Sequence, residues 1–407
     1  MKHIIIGAGA AGITAAKTIR DLNDTDEIIL ISTDEFVHSR CMLHQYISHH
    51  RDEKNISFIS EDFFDHNRIR WLKGITVTSI DPDAKMVFHD KGKESYDKLL
   101  IAPGSESVIP PIGKLRTAHN VHGLRHLSDA QNIQTQASHS DQIIIIGAGL
   151  VGLDAAYALI EMGKHPIVIE MAENILALNL DQHAATTYQD KFEQAGCTFL
   201  LNEKVSDTLV DDFGNITAII LDSGTILPCD MVIVAAGVRP AIQFLQGSKI
   251  EHDRSIFVND FLSTNFDDIY AAGDATGLSG IWPNAMKQGK IAAQNMCGIP
   301  VAYDDRYAIK NTLNFFNLPS LSIGQLQAGE GDIVIQSEDQ NCYKKAILRN
   351  GIVSGIILQG EISYSGFWQY LIKNQIDISS FKKPIWKLSY ADFFCTNDHG
   401  EYEWKIS

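Results

Sequence analysis

Two hexapeptides, Gly7-Ala8-Gly9-Ala10-Ala11-Gly12 and Gly147-Ala148-Gly149-Leu150-Val151-Gly152, share one glycine spacing. At that spacing the first glycine makes a tight turn and the second lets backbone approach a pyrophosphate. The third lets a helix pack on the preceding strand, so the helix N-terminus faces the phosphates. Two such cradles imply two dinucleotides, and two dinucleotides imply electrons passing between them. Cys41 offers different chemistry, that of a thiol able to cycle through sulfenate or a mixed disulfide. The other cysteines are Cys197, Cys229, Cys297, Cys342 and Cys395, with no CxxC or CxxxxC pair. That scatter argues against a neighbouring dithiol and gives no zinc-ligand spacing. His38, His44, His49 and His50 invite a metal, but adjacent His49 and His50 cannot face one site from a helix. His44 is instead a candidate proton donor.

Each cradle needs a strand before it and a helix after it, and the sequence supplies both. His3 to Ile6 and Ile143 to Ile146 are apolar, β-branched runs, and alanine-rich helical stretches follow both hexapeptides. Further strands are expected at Glu27–Ser32, 98–102, 166–170 and 231–235, with a helix over 181–196 and a polar meander over 211–225. Ala102-Pro103-Gly104 and Ala236-Gly237 end two of these runs alike, which suggests internal duplication. A short strand then runs into Gly273-Asp274, followed by a helix over 283–298. Three short strands (331–336, 344–348, 352–358), a helix over 367–373 and an aromatic tail (Trp386, Tyr390, Phe393, Phe394, Trp404) close the chain. Those aromatics are expected to pack the small domain on the nucleotide domains, an interface being the alternative.

At 407 residues, two or three domains are expected. With 34 basic against 50 acidic residues the net charge is −16, which argues against nucleic acid as a partner. An acidic protein partner would need a local basic patch, for which Lys382 and Lys383 are candidates. No uncharged apolar run reaches the roughly 18 residues that span a bilayer, so no membrane role and a cytoplasmic location are expected.

The order first cradle, Ala102-Pro103-Gly104, second cradle, Ala236-Gly237, Gly273-Asp274 resembles the FAD/NAD(P) pyridine nucleotide-disulfide oxidoreductase superfamily over roughly residues 1–305. The resemblance implies an α/β fold of two Rossmann-like domains plus a small C-terminal α+β domain. An FAD domain (1–112 and 243–305) would be interrupted by an NAD domain (113–242), with an interface domain at 306–407. It assigns FAD to Gly7, Gly9, Ala10, Ala11 and Gly12, with Ala102, Gly104, Gly273 and Asp274, the last on the ribityl chain. It assigns NAD to Gly147, Gly149, Leu150, Val151, Gly152 and Gly237. Leu150 would shield the flavin, and Trp282, just after the Gly-Asp turn, would pack either near the ring or in the ordinary core. Ser39-Arg40-Cys41-Met42-Leu43 and the short C-terminal part resemble the NADH:rubredoxin reductase and nitrite reductase flavoprotein branch, which places Arg40 on the flavin cofactor. Gln45 and Asp154 stand where relatives often keep a Lys–Glu pair.

The nicotinamide can be chosen on physical grounds. Glu170, 18 residues after Gly152, would accept both adenosine ribose hydroxyls and repel a 2′-phosphate, which selects NADH. In the FAD unit Ser32 stands where relatives carry Glu, so Asp34 or Glu35 must supply the second ribose contact. Hydride is thus expected to pass from NADH to flavin, and electrons onward to a rubredoxin- or ferredoxin-like carrier. Cys41 falls at the redox-cysteine position of the single-cysteine branch, although Ala10 replaces the histidine of the peroxidase pattern. A peroxide, persulfide or small-disulfide reductase is therefore one alternative. A flavoprotein subunit of a larger complex, or a homodimer, is another.

Overall fold

The computed structural model describes residues 1–305, 309–340 and 342–404, so the expected C-terminal domain begins and ends outside the described residues. The chain forms two compact units, residues 1–171 with 196–304 and residues 172–195 with 305–407.

The first unit is built on two five-stranded parallel sheets. One runs Ile269–Ala271, Lys98–Ile101, Lys2–Ile6, Glu27–Ser32, Ile69–Lys73. Ile4, Ile5, Ile28, Ile29, Leu30, Leu99 and Leu100 are almost wholly buried, because both faces of the sheet are covered. Each such side chain contributes on the order of 1.5–3 kcal/mol through burial. The edge strand Ile269–Ala271 arrives only after the second sheet is complete, so the first nucleotide fold is closed by a late segment. That second sheet runs Thr198–Leu201, Ile167–Glu170, Ile143–Ile146, Met231–Val234, Val121–His122. The polar meander is a three-stranded antiparallel sheet, Val205–Val210, Ile216–Leu221 and Ile226–Pro228.

The second unit holds a five-stranded antiparallel sheet in the order Lys310–Phe315, Leu318–Gly324, Ile352–Gln359, Tyr343–Arg349, Ile333–Glu338. The first two strands are additional to the three read from the sequence. Helix Ser365–Lys373 buries Phe367, Trp368, Leu371 and Ile372 into this unit's core. The tail aromatics pack there too. Phe393 is buried and stacks on Trp404 at 5.4 Å, whereas Tyr390 and Phe394 stay partly exposed. Helix Gln182–Gln194, within the 113–242 segment, belongs to this unit.

Candidate dinucleotide sites

Both cradles adopt the strand–turn–helix arrangement. Gly7 has φ +107°, and a Cβ there would sit 2.1 Å from the Ala102 carbonyl oxygen, so the chain itself demands glycine. Gly9 is different. Its φ is −83°, and a Cβ would meet nothing within 4 Å. Nothing in the folded chain requires glycine at that point, so the open space above it suits an external group approaching the backbone. Gly9 caps helix Ala10–Leu22 without any side-chain hydrogen bond, which leaves the first-turn N–H groups of Ala10 and Ala11 facing that space. The second cradle repeats the pattern. Gly147 has φ +106°, Gly149 is open, and helix Leu150–Glu161 starts beside it. Val151 is 37% exposed.

The first cradle opens onto a cleft of about 340 Å³. Its lining includes Gly7, Gly9, Ala10, Ala11, Ser32, Arg40, Cys41, Ala102, Gly104, Gly273, Asp274 and Trp282. Asp274 accepts from Ser105 Oγ at 2.7 Å and from Arg125 Nη2 at 2.6 Å. Arg40 donates to the Arg125 carbonyl at 2.7 Å and to Asp34 at 3.0 Å. Burial, offset by Asp34, lowers the Arg40 guanidinium from its ordinary range. Ser32 is committed internally, its hydroxyl donating to the Asp34 carbonyl at 2.9 Å and accepting from Trp71 Nε1 at 2.9 Å. Trp282 meets Phe58 edge-on at 4.8 Å.

Arg125, His126 and Glu106 line the same cleft and escaped the sequence reading. They belong to no motif. One signal was nonetheless legible: Asp129 follows His126 by three residues, a helix-start spacing, and two potential cations at a helix N-terminus oppose its dipole.

At the second cradle Glu170 Oε2 accepts the Ala148 N–H at 2.7 Å, which fixes a carboxylate at the mouth of the turn. Gly237 has φ +101° and ends the segment after strand Met231–Val234. Asp154, on the cradle helix, lies 3.8 Å from His44 Nδ1. Burial pushes the Asp154 carboxyl up to about 7, although 31% of the side chain meets solvent and works against the full shift. Burial lowers His44 to about 4, so that imidazole is neutral at pH 7. Cys41 is exposed to the cleft, yet burial of its sulfur and the Asp154 charge push the thiol up. His38 faces the Phe36 carbonyl, His49 the Gln134 amide, and His50 the Glu161 carboxylate. Among the described residues no group of three His, Cys, Asp or Glu converges as metal ligands.

Two parallel sheets, each opening into a glycine cradle at a helix N-terminus, define a protein that binds two dinucleotides. Residues 1–289 match the pyridine nucleotide-disulphide oxidoreductase family, and residues 310–376 match the rubredoxin NAD+ reductase C-terminal domain. The chain belongs to the pyridine nucleotide-disulphide oxidoreductase family, whose cofactors are FAD and NAD(H). The open second glycines and the cation-lined cleft fit those groups. The chain is 32% identical to the assimilatory nitrate reductase electron transfer subunit of Bacillus subtilis over 94% of its length, and spans half of that relative. It is 29% identical to the NADH-dependent phenylglyoxylate dehydrogenase subunit epsilon of Aromatoleum evansii, covering 94% of this chain and 93% of that one. The crystal structure of NADH:rubredoxin oxidoreductase from Clostridium acetobutylicum superimposes with a TM-score of 0.78 at 26% identity. That match covers 94% of this chain and 97% of that one.

Proposed function

We propose that the chain is an NADH-dependent FAD reductase that passes electrons to a small iron or iron–sulfur carrier. The observation that carries this reading is the joining, in one chain, of two dinucleotide cradles to a module matching the rubredoxin NAD+ reductase C-terminal domain. Relatives named for electron transfer and for rubredoxin reduction support it. When bound, FAD supplies a centre that accepts hydride and releases electrons singly. The chain's own task is then to bind and orient. Gly9, Ala10 and Ala11 present backbone donors to one pyrophosphate, while Asp274 and Arg40 line the same cleft. Gly149, Leu150 and Val151 do the same for the nicotinamide dinucleotide, and Glu170 confronts its adenosine ribose. A 2′-phosphate at that carboxylate would face like-charge repulsion, so NADH is preferred over NADPH. A cytoplasmic setting belongs to the same proposal and is supported by six free cysteines.

An anaerobic titration with NADH, followed by flavin absorbance, tests the reading. It should give simple bleaching, then reoxidation by a rubredoxin- or ferredoxin-like carrier, with NADPH far slower. Cys41→Ser should leave carrier reduction intact. The second reading, a thiol-based reductase of peroxide, persulfide or small disulfides, is favoured by the position of Cys41 in the cleft. It predicts a long-wavelength thiolate–flavin band after two-electron reduction by NADH, present in the native sequence and lost in Cys41→Ser. A protein stably reduced by NADH yet slow with every free carrier would instead indicate a subunit of a larger complex, as the names of two relatives suggest.

A further inference from the structure

We propose that His126, as a cation, is a cofactor-positioning residue that holds the walls of the first cleft together around FAD and makes FAD retention pH-dependent. The proposal rests on the first cradle being the FAD site.

The geometry begins at the backbone. The N–H groups of Arg125 and His126 both donate to Asp129 Oδ2, at 2.8 and 2.8 Å, which fixes this turn at the start of helix Leu127–Ala137. From that fixed turn both side chains reach the cleft lining. Arg125 binds Asp274 and, at 3.0 Å, the Ser105 carbonyl. His126 Nε2 lies 2.9 Å from Glu106 Oε2, and its Nδ1 lies 3.8 Å from Asp34 Oδ1 and 3.2 Å from Arg40 Nη1. As a cation the imidazole thereby links strand Ser105–Ser107 and the loop after strand Glu27–Ser32 to its own helix, while its Nδ1–H and Arg40 Nη1, both donors, face each other without a hydrogen bond. A neutral ring carries one N–H and can serve one carboxylate, whereas the cation has two and can serve both.

The charges facing the ring decide its state. Asp34 and Glu106 favour the cation, while Arg40 opposes it. His38, in the same loop as Asp34, is held below its ordinary range by burial and adds no charge at pH 7. Arg125 is engaged by Asp274. Asp34 and then Glu106 outweigh burial and Arg40, raising His126 to about 9. A bound dinucleotide brings further negative charge, so FAD and the proton favour each other's binding by the same factor.

FAD affinity of the deflavinated full-length protein, measured by flavin fluorescence from pH 6.5 to 10.5, tests this. In the native protein the Kd should stay level to about pH 8 and rise above about pH 9 by about tenfold in all, the factor by which the charged ring favours FAD. His126→Gln should weaken FAD about tenfold at pH 7 through loss of a charge-assisted contact and show no alkaline step. His126→Lys should keep affinity at pH 7 and move the step upward. A His126→Gln protein with native affinity at pH 7, or with the native step, overturns the proposal. So does a His126→Lys profile identical to the native one, which decides the matter if the Gln variant does not fold. Failure of the native protein to bind FAD at any pH overturns the cofactor reading beneath it, a result distinct from FAD binding that ignores His126.

Discussion

Asp154 shows how a single residue can exchange stability for position. Its carboxyl is pushed up to about 7, against about 3.9 in an unfolded chain. Because the folded state holds the proton more tightly, the associated stability is fully present below about pH 4. It is lost as pH rises through 7, where the anion must form beside neutral His44. Asp154→Asn removes that loss. The variant should match the native protein near pH 4 and exceed it by about 1–2 kcal/mol at pH 7.5, the shift being discounted for the solvent that reaches the group. Urea unfolding at the two pH values measures this, and equal stability at pH 7.5 would show that the carboxylate is well solvated. A stabilising change at a site residue is expected where function holds an unfavourable group in place. The cradle residues and Asp154 were legible because they sit in or beside short motifs. His126, Glu106 and Arg125 were not, because their partners Asp34, Arg40 and Asp274 are joined to them only by folding.

At the scale of elements, helix Gln182–Gln194 buries Tyr188 and Phe192 in its unit, and a half-buried carboxylate at its N-terminus adds polar ties. Asp181 accepts the Ala184 N–H at 3.1 Å, the Tyr343 hydroxyl at 2.7 Å and Lys345 Nζ at 3.0 Å. Burial raises its pKa, but Tyr343, the Ala184 N–H and Lys345 together outweigh it and hold the group below the ordinary carboxylate range. That stability is present above about pH 4 and is lost as pH falls through the lowered value. Asp181→Ala removes a helix cap, leaves the Tyr343 hydroxyl without its acceptor and takes the carboxylate from half-buried Lys345, so it should cost about 2–4 kcal/mol. Thermal unfolding should show a fall of several degrees, with Asp181→Asn intermediate; an unchanged midpoint for the alanine variant would show that the contacts are replaced. The helix expected over 181–196 forms over Gln182–Gln194, with Asp181 as its cap. Strands Lys310–Phe315 and Leu318–Gly324 were not legible in the sequence. The first alternates weakly, with Lys310, Asn311, Thr312 and Asn314 diluting its apolar positions. The hairpin turn Phe316-Asn317 adopts φ +53° and +55° without the glycine that usually marks such a turn.

Over the whole molecule, charge is unevenly divided. Residues 306–407 carry 10 acidic and 10 basic side chains, so the entire net charge of −16 resides in the first 305 residues, which contain both cradles. That field repels any acidic carrier approaching the nucleotide-binding segments, and the neutral C-terminal segment does nothing to offset it at long range. Raising ionic strength from about 0.01 M to about 0.15 M shortens the screening length from about 30 Å to about 8 Å. The second-order rate of reducing an acidic iron–sulfur carrier should therefore rise over that range, while NADH-driven bleaching of the protein alone changes less. Stopped-flow measurement of the two steps separates them. A carrier rate that falls with salt would mean that a local basic surface, such as one including Lys382, steers the encounter against the global field. Lys382→Glu should then slow it further at low salt and leave the rate at high salt nearly unchanged.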